Sequence, residues 1–446
     1  MIALKTIFVI FFILLYVVMM SVMIIFERDK PRNIIIWSLL FLFTQLVGYA
    51  IYVANRFIFD AKKKELIKKQ QEDDVYVNLI NSKLQNKHLL EDDELFNFNQ
   101  KAYCANLTQK NNYQIFNDYS KFKEDLISAI KSAKSYIILE LRKINKNDFE
   151  DIKTQLIAKA EEGVAIKLVH DKLISLKLKK ELINGGVKVY RFSKYNTLGG
   201  VYSNLRNQIV IDGKVAYLAN TYLKNKQLQE TYDRSEVIFK VSGEIVEEID
   251  VSAHQDYVFA SGKFMEYTPA EKTGISTRSQ IQYVANQYST DIELLLIKAI
   301  CSAKKSIQLE LEEFIPTESI MSLLRFAIDS NIEVRLMVPL KTNKHSKYFA
   351  TRAYAKELAL MGANVYLYDG YIRFNGIVID NEYVLYGAFS MDREHINMGI
   401  QSVLVVKDEK LVEHFNKLFD KDINNSYRIN NAKYMLLREK FFKNFV

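Results

Sequence analysis

Two segments of the chain repeat a pattern of polar side chains placed just before a short apolar strand. They read NLRNQIVIDG (204–213) and IRFNGIVIDN (372–381). Asn207 and Asn375 can donate hydrogen bonds, and Arg373 is positively charged at any physiological pH. An arginine with two amides can hold a phosphate through charge-assisted hydrogen bonds. The same residues could instead form a structural polar interface, and both interpretations stay open.

Each segment ends with an aspartate at a predicted hairpin turn. Asp212 is followed by glycine and Asp380 by asparagine, which are the residue types that hairpin turns require. Both aspartates therefore have a purely structural explanation beside any chemical one.

Two His-x-Lys triplets are further candidates, His170 with Lys172 and His345 with Lys347. An imidazole can act as a nucleophile or as a general acid or base, and a lysine can hold phosphate oxygens. His170 and Lys172 follow the end of a predicted strand, where ligands of α/β sheets commonly bind. We keep His170, Lys172 and His345 as candidate catalytic residues, with a polar loop as the alternative.

The elements that must position these residues occur twice. AIKSAKSYIILEL (129–141) and AICSAKKSIQLEL (299–311) share nine of thirteen residues. Helical stretches alternate with short β-branched runs in both halves, which predicts an α/β sandwich of helices on a sheet in each. We predict an internal duplication whose halves, residues 119–270 and 271–446, pack about a pseudo-twofold axis.

The N-terminal part is apolar. Uncharged runs of 21 and 23 residues, at 6–26 and 33–55, are each long enough to cross a bilayer. They predict a transmembrane helical hairpin over residues 1–58, with a re-entrant hairpin or a buried hairpin of a soluble protein as alternatives. The cations after the second run predict a cell-membrane location with the other domains in the cytoplasm. A charged linker is predicted over 59–118.

Composition narrows the class of partner. The formal net charge of +8 favours an anionic partner. Cys104 and Cys301 are far apart and belong to no His/Cys cluster, and no glycine-rich phosphate loop follows a strand. We therefore predict no metal and no cofactor. The aromatic residues do not interleave with a basic stripe, so nucleic acid is not the expected partner.

The order of these parts resembles the phospholipase D superfamily and, within it, the bacterial cardiolipin synthases. ERDKPRNIIIW (27–37) is similar to the family's entry to its second membrane helix. KTNKHSKYFATRAYAKELALMGANVYLYDG (341–370) is similar to the loop and helix before the second catalytic motif. The resemblance extends from Met1 to about Val412. It implies two tandem phospholipase D-like α/β sandwich domains behind the transmembrane hairpin.

The family's chemistry uses the pattern His-x-Lys-x4-Asp once in each half. The resemblance implies that one histidine attacks phosphorus, the other protonates the leaving oxygen, and the lysines hold phosphate oxygens. The matching positions in this chain hold, in order, Leu205, Asn207, Asp212, Arg373, Asn375 and Asp380. Both histidines and both lysines are therefore missing, whereas the strand core IVID is present twice.

Neighbouring positions depart from the family as well. Residues 219–222 and 387–390 replace the family's Gly-Ser-x-Asn or Gly-Thr-x-Asn segment, and Gln401 stands where a glutamate is usual. This pattern predicts a catalytically inactive, membrane-anchored cardiolipin synthase-like protein that binds anionic phospholipid or a partner, such as an active paralogue. The alternatives are an active, divergent phosphatidyltransferase that makes cardiolipin from phosphatidylglycerol, and a scaffold for protein contacts.

Overall fold

The computed structural model shows two mixed β-sheets with helices packed on them. The residues that it describes are 2–27, 31–71, 93–144, 146–192, 196–197, 200–201, 203–219, 237–263, 279–286, 292–341, 345–370, 372, 374–392, 396, 399–429 and 437–445.

The apolar N-terminal segment forms three helices where two were predicted. They are α1 (Ile2–Glu27), α2 (Pro31–Thr44) and α3 (Leu46–Gln71). The second apolar run is interrupted at Gln45, whose φ is +45°. The 14 residues of α2 span about 21 Å, which is less than the roughly 30 Å of a bilayer's hydrocarbon core.

Among the helices that the structure describes, none has both the length and the apolar composition needed to cross a membrane. This finding contradicts the predicted cell-membrane location with two spanning helices, and the transmembrane hairpin over 1–58 is not confirmed. For the second apolar run, the break at Gln45 is a physical reason, because it divides that run into shorter pieces.

The elements of the first half alternate between helices and strands as predicted. In chain order they are α4 (Glu94–Tyr103), β1 (Leu107–Thr108), β2 (Asn111–Phe116), α5 (Tyr119–Ser132), β3 (Tyr136–Leu141), α6 (Lys146–Glu161), β4 (Ala165–His170), α7 (Leu176–Asn184), β5 (Lys188–Arg191), β6 (Asn196–Thr197), β7 (Gly200–Val201), β8 (Ser203–Asn204), β9 (Gln208–Ile211), β10 (Val215–Ala219), β11 (Ile238–Gly243) and α8 (Ile245–Ser261). Seven strands form a sheet in the order β2-β11-β10-β9-β3-β4-β5. Buried residues of α5, α6 and α7 cover one of its faces.

The second half repeats this arrangement. Its elements are β12 (Gln280–Ala285), α9 (Glu293–Ser302), β13 (Ser306–Glu310), α10 (Glu318–Asp329), β14 (Glu333–Pro339), α11 (His345–Leu360), β15 (Asn364–Tyr368), β16 (Gly376–Ile379), β17 (Tyr383–Ala388), β18 (Gly399–Ile400), β19 (Ser402–Lys407), α12 (Glu409–Ile423), β20 (Ser426–Arg428) and α13 (Leu437–Phe445). Nine strands form a sheet in the order β1-β12-β19-β17-β16-β13-β14-β15-β20. Seven consecutive strands, β12 to β15 in that order, match the seven strands of the first sheet one for one.

The two mixed sheets with their helices confirm the predicted α/β class. The equal order of seven strands is what an internal duplication requires. Within the predicted linker 59–118, β2 joins the first sheet and β1 pairs with β12 of the second. The boundaries at 119, 270 and 271 stay predictions.

Several helices begin where a side chain can accept an unpaired backbone N–H group of the first turn. Ser175, Thr317 and Asp408 each accept the N–H of the residue three positions later, at 3.0–3.3 Å. These caps fix the starts of α7, α10 and α12. The first of these helices lies beside the candidate site.

The face of the first sheet opposite α5, α6 and α7 packs against a face of the second sheet in one apolar core. Ile138 and Val210 of the first sheet share this buried cluster with Val378, Tyr386 and Leu404 of the second. Helix α8 packs against strands of both sheets. The carboxyl ends of β3 and β4, and the residues before β9, lie along one edge of the first sheet because β3 and β4 are parallel and β9 is antiparallel to β3.

Candidate functional site

The two motif aspartates tie each hairpin turn to the neighbouring strand. The Asp212 carboxylate accepts the backbone N–H groups of residues 134–136 at 2.8–2.9 Å. The Asp380 carboxylate accepts those of residues 304–306 at 2.6–2.9 Å. Both aspartates have positive φ, +52° and +54°, a conformation that aspartate tolerates better than most residues. The two aspartates therefore make matching contacts in both halves, as their structural explanation requires.

The two asparagines that stand at the lysine positions also make equivalent contacts. Asn207 Oδ1 accepts the N–H of Arg142 at 2.9 Å, just beyond β3. Asn375 Oδ1 accepts the N–H of Glu312 at 3.1 Å, just beyond β13. Asn207 is buried, and its Nδ2 donates to the carbonyl of Leu205 at 3.2 Å. Each side-chain oxygen thus satisfies a backbone donor at a strand end.

Leu205 occupies the first histidine position and is 3% exposed. Its N–H donates to the carbonyl of Ile400 at 2.8 Å, and the preceding strand β8 pairs in parallel with β18. This short ladder joins the two halves next to the motif. The other histidine position, Arg373, lies outside the described residues, as do Asn220 to Tyr222 of the segment that follows β10.

Arg206, which stands between Leu205 and Asn207 in the chain, connects the two halves. Its Nη1 donates to Asp256 at 2.5 Å and to Ser252 at 2.9 Å, both on α8. Its Nη2 donates to the carbonyl of Asn286 at 2.5 Å, and its Nε to that of Gln401 at 3.3 Å, both in the second half. Burial alone lowers the pKa of this arginine, but its interactions with Asp256, Tyr283 and Glu140 together more than offset the effect of burial, so the pKa lies above its usual value.

A second acid, Glu140, is buried beside this ion pair. Its Oε2 accepts from Gln208 Nε2 at 2.6 Å, and its Oε1 accepts from Asn204 Nδ2. Burial raises the pKa of Glu140 well above its usual value, and the charge of Asp256 adds to the shift. Tyr283 of the second half donates to Gln208 Oε1 at 2.7 Å. The result is one polar network across the interface.

His170 is buried at the end of β4, near Asn207. Its Nδ1 lies 2.9 Å from the carbonyl of Lys172, so Nδ1 carries the proton and Nε2 is the acceptor in the neutral ring. Nε2 is buried and has no hydrogen-bond partner among the residues described. Burial lowers the pKa of His170.

Backbone hydrogen bonds connect His170 to the first motif. The N–H of Lys172 donates to the carbonyl of Arg142 at 2.8 Å, and the N–H of Arg142 donates to Asn207. The Lys172 ammonium is half exposed and lies 4.0 Å from Asp171. The structure therefore brings His170 and Lys172 to the same sheet edge as Asn207.

The second triplet is arranged differently. His345 is the first residue of α11, and its side chain lies outside the described part of the chain. The Lys347 ammonium pairs with Glu313 at 3.0 Å and with the buried Asp392. Burial lowers the pKa of Lys347, and the two carboxylates more than compensate, so the pKa is raised. This lysine is held by acids of its own chain.

In the ranges that the structure covers, no three His, Cys, Asp or Glu side chains are grouped so that they could hold a metal ion. Cys104 and Cys301 are free thiols. The expectation of no metal and no cofactor stays a prediction.

Sequence reasoning missed the partners of Arg206 and Lys347. Asp256 and Ser252 lie on α8, which carries no recognisable motif. A weak signal was present: α8 mixes polar residues with apolar ones, five of its polar side chains are buried, and buried polar groups are expected to have partners. The partner itself could not be read from spacing.

The sequence of this chain is similar to those of known proteins. The family described as "Cardiolipin synthase, PLD-like domain" matches residues 296–423. Cardiolipin synthase 1 of Staphylococcus epidermidis is 26% identical over 92% of this chain and 90% of that protein. The major cardiolipin synthase of Bacillus subtilis (strain 168) is 26% identical over 94% of this chain and 93% of that protein.

A solved structure shares the fold. The phosphatidylserine synthase of Haemophilus influenzae Rd KW20 superposes with a TM-score of 0.59 and 11% identity, covering 79% of this chain and 97% of that one. At this identity the likeness concerns the fold alone. The family match over residues 296–423 and the relatives aligned along nine tenths of the chain support a cardiolipin synthase-like protein of the phospholipase D superfamily, and the chain contains no His-x-Lys-x4-Asp pattern.

Proposed function

We propose that this protein acts in phospholipid metabolism by binding an anionic phospholipid without transferring its phosphatidyl group. Its relatives named cardiolipin synthases support the lipid class. The observation that carries the proposal is the fate of the motif side chains: Leu205 is buried, and Asn207 and Asn375 accept backbone N–H groups.

Loss of transfer follows from the chemistry that these side chains lack. A leucine has no lone pair with which to attack phosphorus and no proton for a leaving oxygen. An asparagine is uncharged and cannot offset charge on a phosphate as a lysine does. Removing a nucleophile typically costs several orders of magnitude in rate.

Binding requires less than transfer. We propose that Arg373, with the amide donors of Asn207 and Asn375, holds the lipid phosphate by charge-assisted hydrogen bonds. Lys143 and Lys172 follow the ends of β3 and β4 and are exposed, so they add positive potential at the same sheet edge.

Two measurements on the full-length protein test the two parts of the proposal. Incubation with phosphatidylglycerol should yield no cardiolipin and no glycerol, with the Bacillus subtilis relative as the active control. Calorimetric titration with sn-glycerol 3-phosphate should show binding that Arg373→Gln weakens by at least about tenfold, because a charge-assisted hydrogen bond is lost. Arg325→Gln removes an exposed arginine elsewhere and is the matched control.

Absence of glycerol 3-phosphate binding, or equal loss in both arginine variants, would contradict the phosphate site. If neither binding nor turnover is found, a scaffold for protein contacts is the better interpretation.

A second candidate function is active transfer by a divergent site. The observation that favours it is the neutral ring of His170, whose Nε2 lone pair is without a partner in the described part of the chain. Such a nitrogen could act as a general base or nucleophile. Cardiolipin formation that His170→Ala abolishes and Lys172→Gln reduces would support this function and refute the inactive one. His414→Ala alters a histidine of α12 and serves as the control.

A further inference from the structure

A loop and helix beside the candidate site carry leucine side chains into solvent. Leu173 lies in the loop after β4 and Leu176 is the first residue of α7, and each is 77% exposed. Lys172, Lys177 and Lys180 are exposed beside them. We call these five residues the lysine–leucine patch.

The two leucines are not part of the apolar core. Leu178 and Leu182 supply the buried face of α7, and Ser175 caps the helix. Ile183, which is about half exposed, continues the outer face one turn further along. Other residues therefore hold the patch in place, and its leucines are apolar surface that the described fold leaves in water.

Nearby carboxylates offset only part of the charge on the patch. Asp171 lies 4.0 Å from the Lys172 ammonium, but it is buried and accepts hydrogen bonds from the chain. Glu181 lies 4.0 Å from Lys177 and also pairs with Lys153 at 2.7 Å. The surface around the leucines thus stays positive.

The patch lies at the sheet edge that carries the candidate site. The N–H of Lys172 donates to the carbonyl of Arg142, whose own N–H donates to Asn207. The loop that presents Leu173 is therefore hydrogen-bonded to the strand end that the motif side chain contacts.

We propose that the lysine–leucine patch docks on an anionic lipid surface. Apolar side chains flanked by cations are the composition that interfacial segments use, and each lysine near such a surface adds attraction. The leucines would enter the boundary between headgroups and acyl chains, and the lysines would stay among the headgroups. This inference rests on the proposed function for the identity of the partner, and it adds the edge by which the protein approaches the lipid.

The variant Leu176→Trp reports contact between the patch and lipid in the full-length protein. The natural chain has one tryptophan, Trp37, which is 1% exposed, and the unsubstituted protein measured with the same vesicles gives its background. Vesicles of brominated phosphatidylglycerol should quench the new emission, and vesicles of brominated phosphatidylcholine should leave it unchanged. Phe326→Trp is the matched control, since Phe326 is 69% exposed on α10, outside the patch.

The contribution of charge is tested by adding Lys177→Gln and Lys180→Gln to Leu176→Trp. Each lost lysine should raise the phosphatidylglycerol concentration at half-maximal quenching by about fivefold. No quenching at position 176, equal quenching by phosphatidylcholine, or equal quenching at position 326 would overturn the proposal. The reporter lies in the patch and glycerol 3-phosphate binding is measured at Arg373, so failures of the two proposals are distinguishable.

Discussion

Replacing Arg206 by methionine should destabilise the protein strongly, because this side chain joins α8 to the second half. The guanidinium is 3% exposed and contacts Asp256 and the carbonyl of Asn286, each at 2.5 Å. Methionine fills a similar volume but leaves the Asp256 carboxylate beside Glu140 without its cation. Removing one partner of a buried ion pair typically costs about 3–5 kcal/mol.

Urea unfolding followed by circular dichroism measures the loss. We expect the main midpoint to fall by about 1 M or more, since a slope of a few kcal/mol per M is usual. Arg325→Met is the matched control: that arginine is exposed and lies 3.8 Å from Asp329, so its loss should cost about 1 kcal/mol at most.

A double variant tests whether the uncompensated charge of Asp256 causes the loss of stability. Adding Asp256→Asn to Arg206→Met removes the uncompensated charge, so part of the lost stability should return. The explanation would be refuted if Arg206→Met unfolded at the same midpoint as Arg325→Met. It would also be refuted if the second substitution gave no recovery.

Four more variants, at three positions, test other contacts. Glu140 has a raised pKa in the folded protein, so unfolding releases its proton above pH 4.5, and the free energy of unfolding falls as the pH rises above 4.5. Glu140→Gln should reduce the difference in stability between urea titrations at pH 5 and pH 8. An unchanged difference would contradict the raised pKa of Glu140. Asp380→Ala should cost about 1–3 kcal/mol, because it removes the acceptor of three N–H groups, and Asp380→Asn should cost less; equal midpoints would argue against the turn contacts. Lys347→Gln leaves the buried Asp392 without its ammonium and should lower the melting temperature by several degrees in calorimetry, whereas no change would show that the pair contributes little.

Local patterns allowed much of the fold to be predicted. The repeated strand IVID with its aspartate turn requires only a few adjacent residues, and the structure contains it twice as β9 and β16 with their turns. The α/β class followed from the alternation of helical and β-branched runs. The predicted cell-membrane location was wrong, and for the second apolar run one cause is that hydropathy does not reveal the backbone break at Gln45.

The interior of the site could not be predicted in the same way. Arg206 binds Ser252, Asp256, Asn286 and Gln401, which lie between 46 and 195 residues away in the chain. Contacts of this range depend on how the halves pack, and no spacing rule encodes them. The sequence indicated which residue types replace the catalytic ones, but not that Asn207 would accept a backbone N–H.

The contacts of Asn207 and Asn375 affect what it would cost to place the family's lysines at these two positions. A lysine at position 207 or 375 brings no acceptor oxygen, so it would leave the N–H of Arg142 or Glu312 without the bond it now makes. Each such step would cost about 1–3 kcal/mol before any catalytic gain, and the missing histidines would still have to be restored. Change toward the family's motif by single substitutions therefore lowers stability at its first step, in both halves independently.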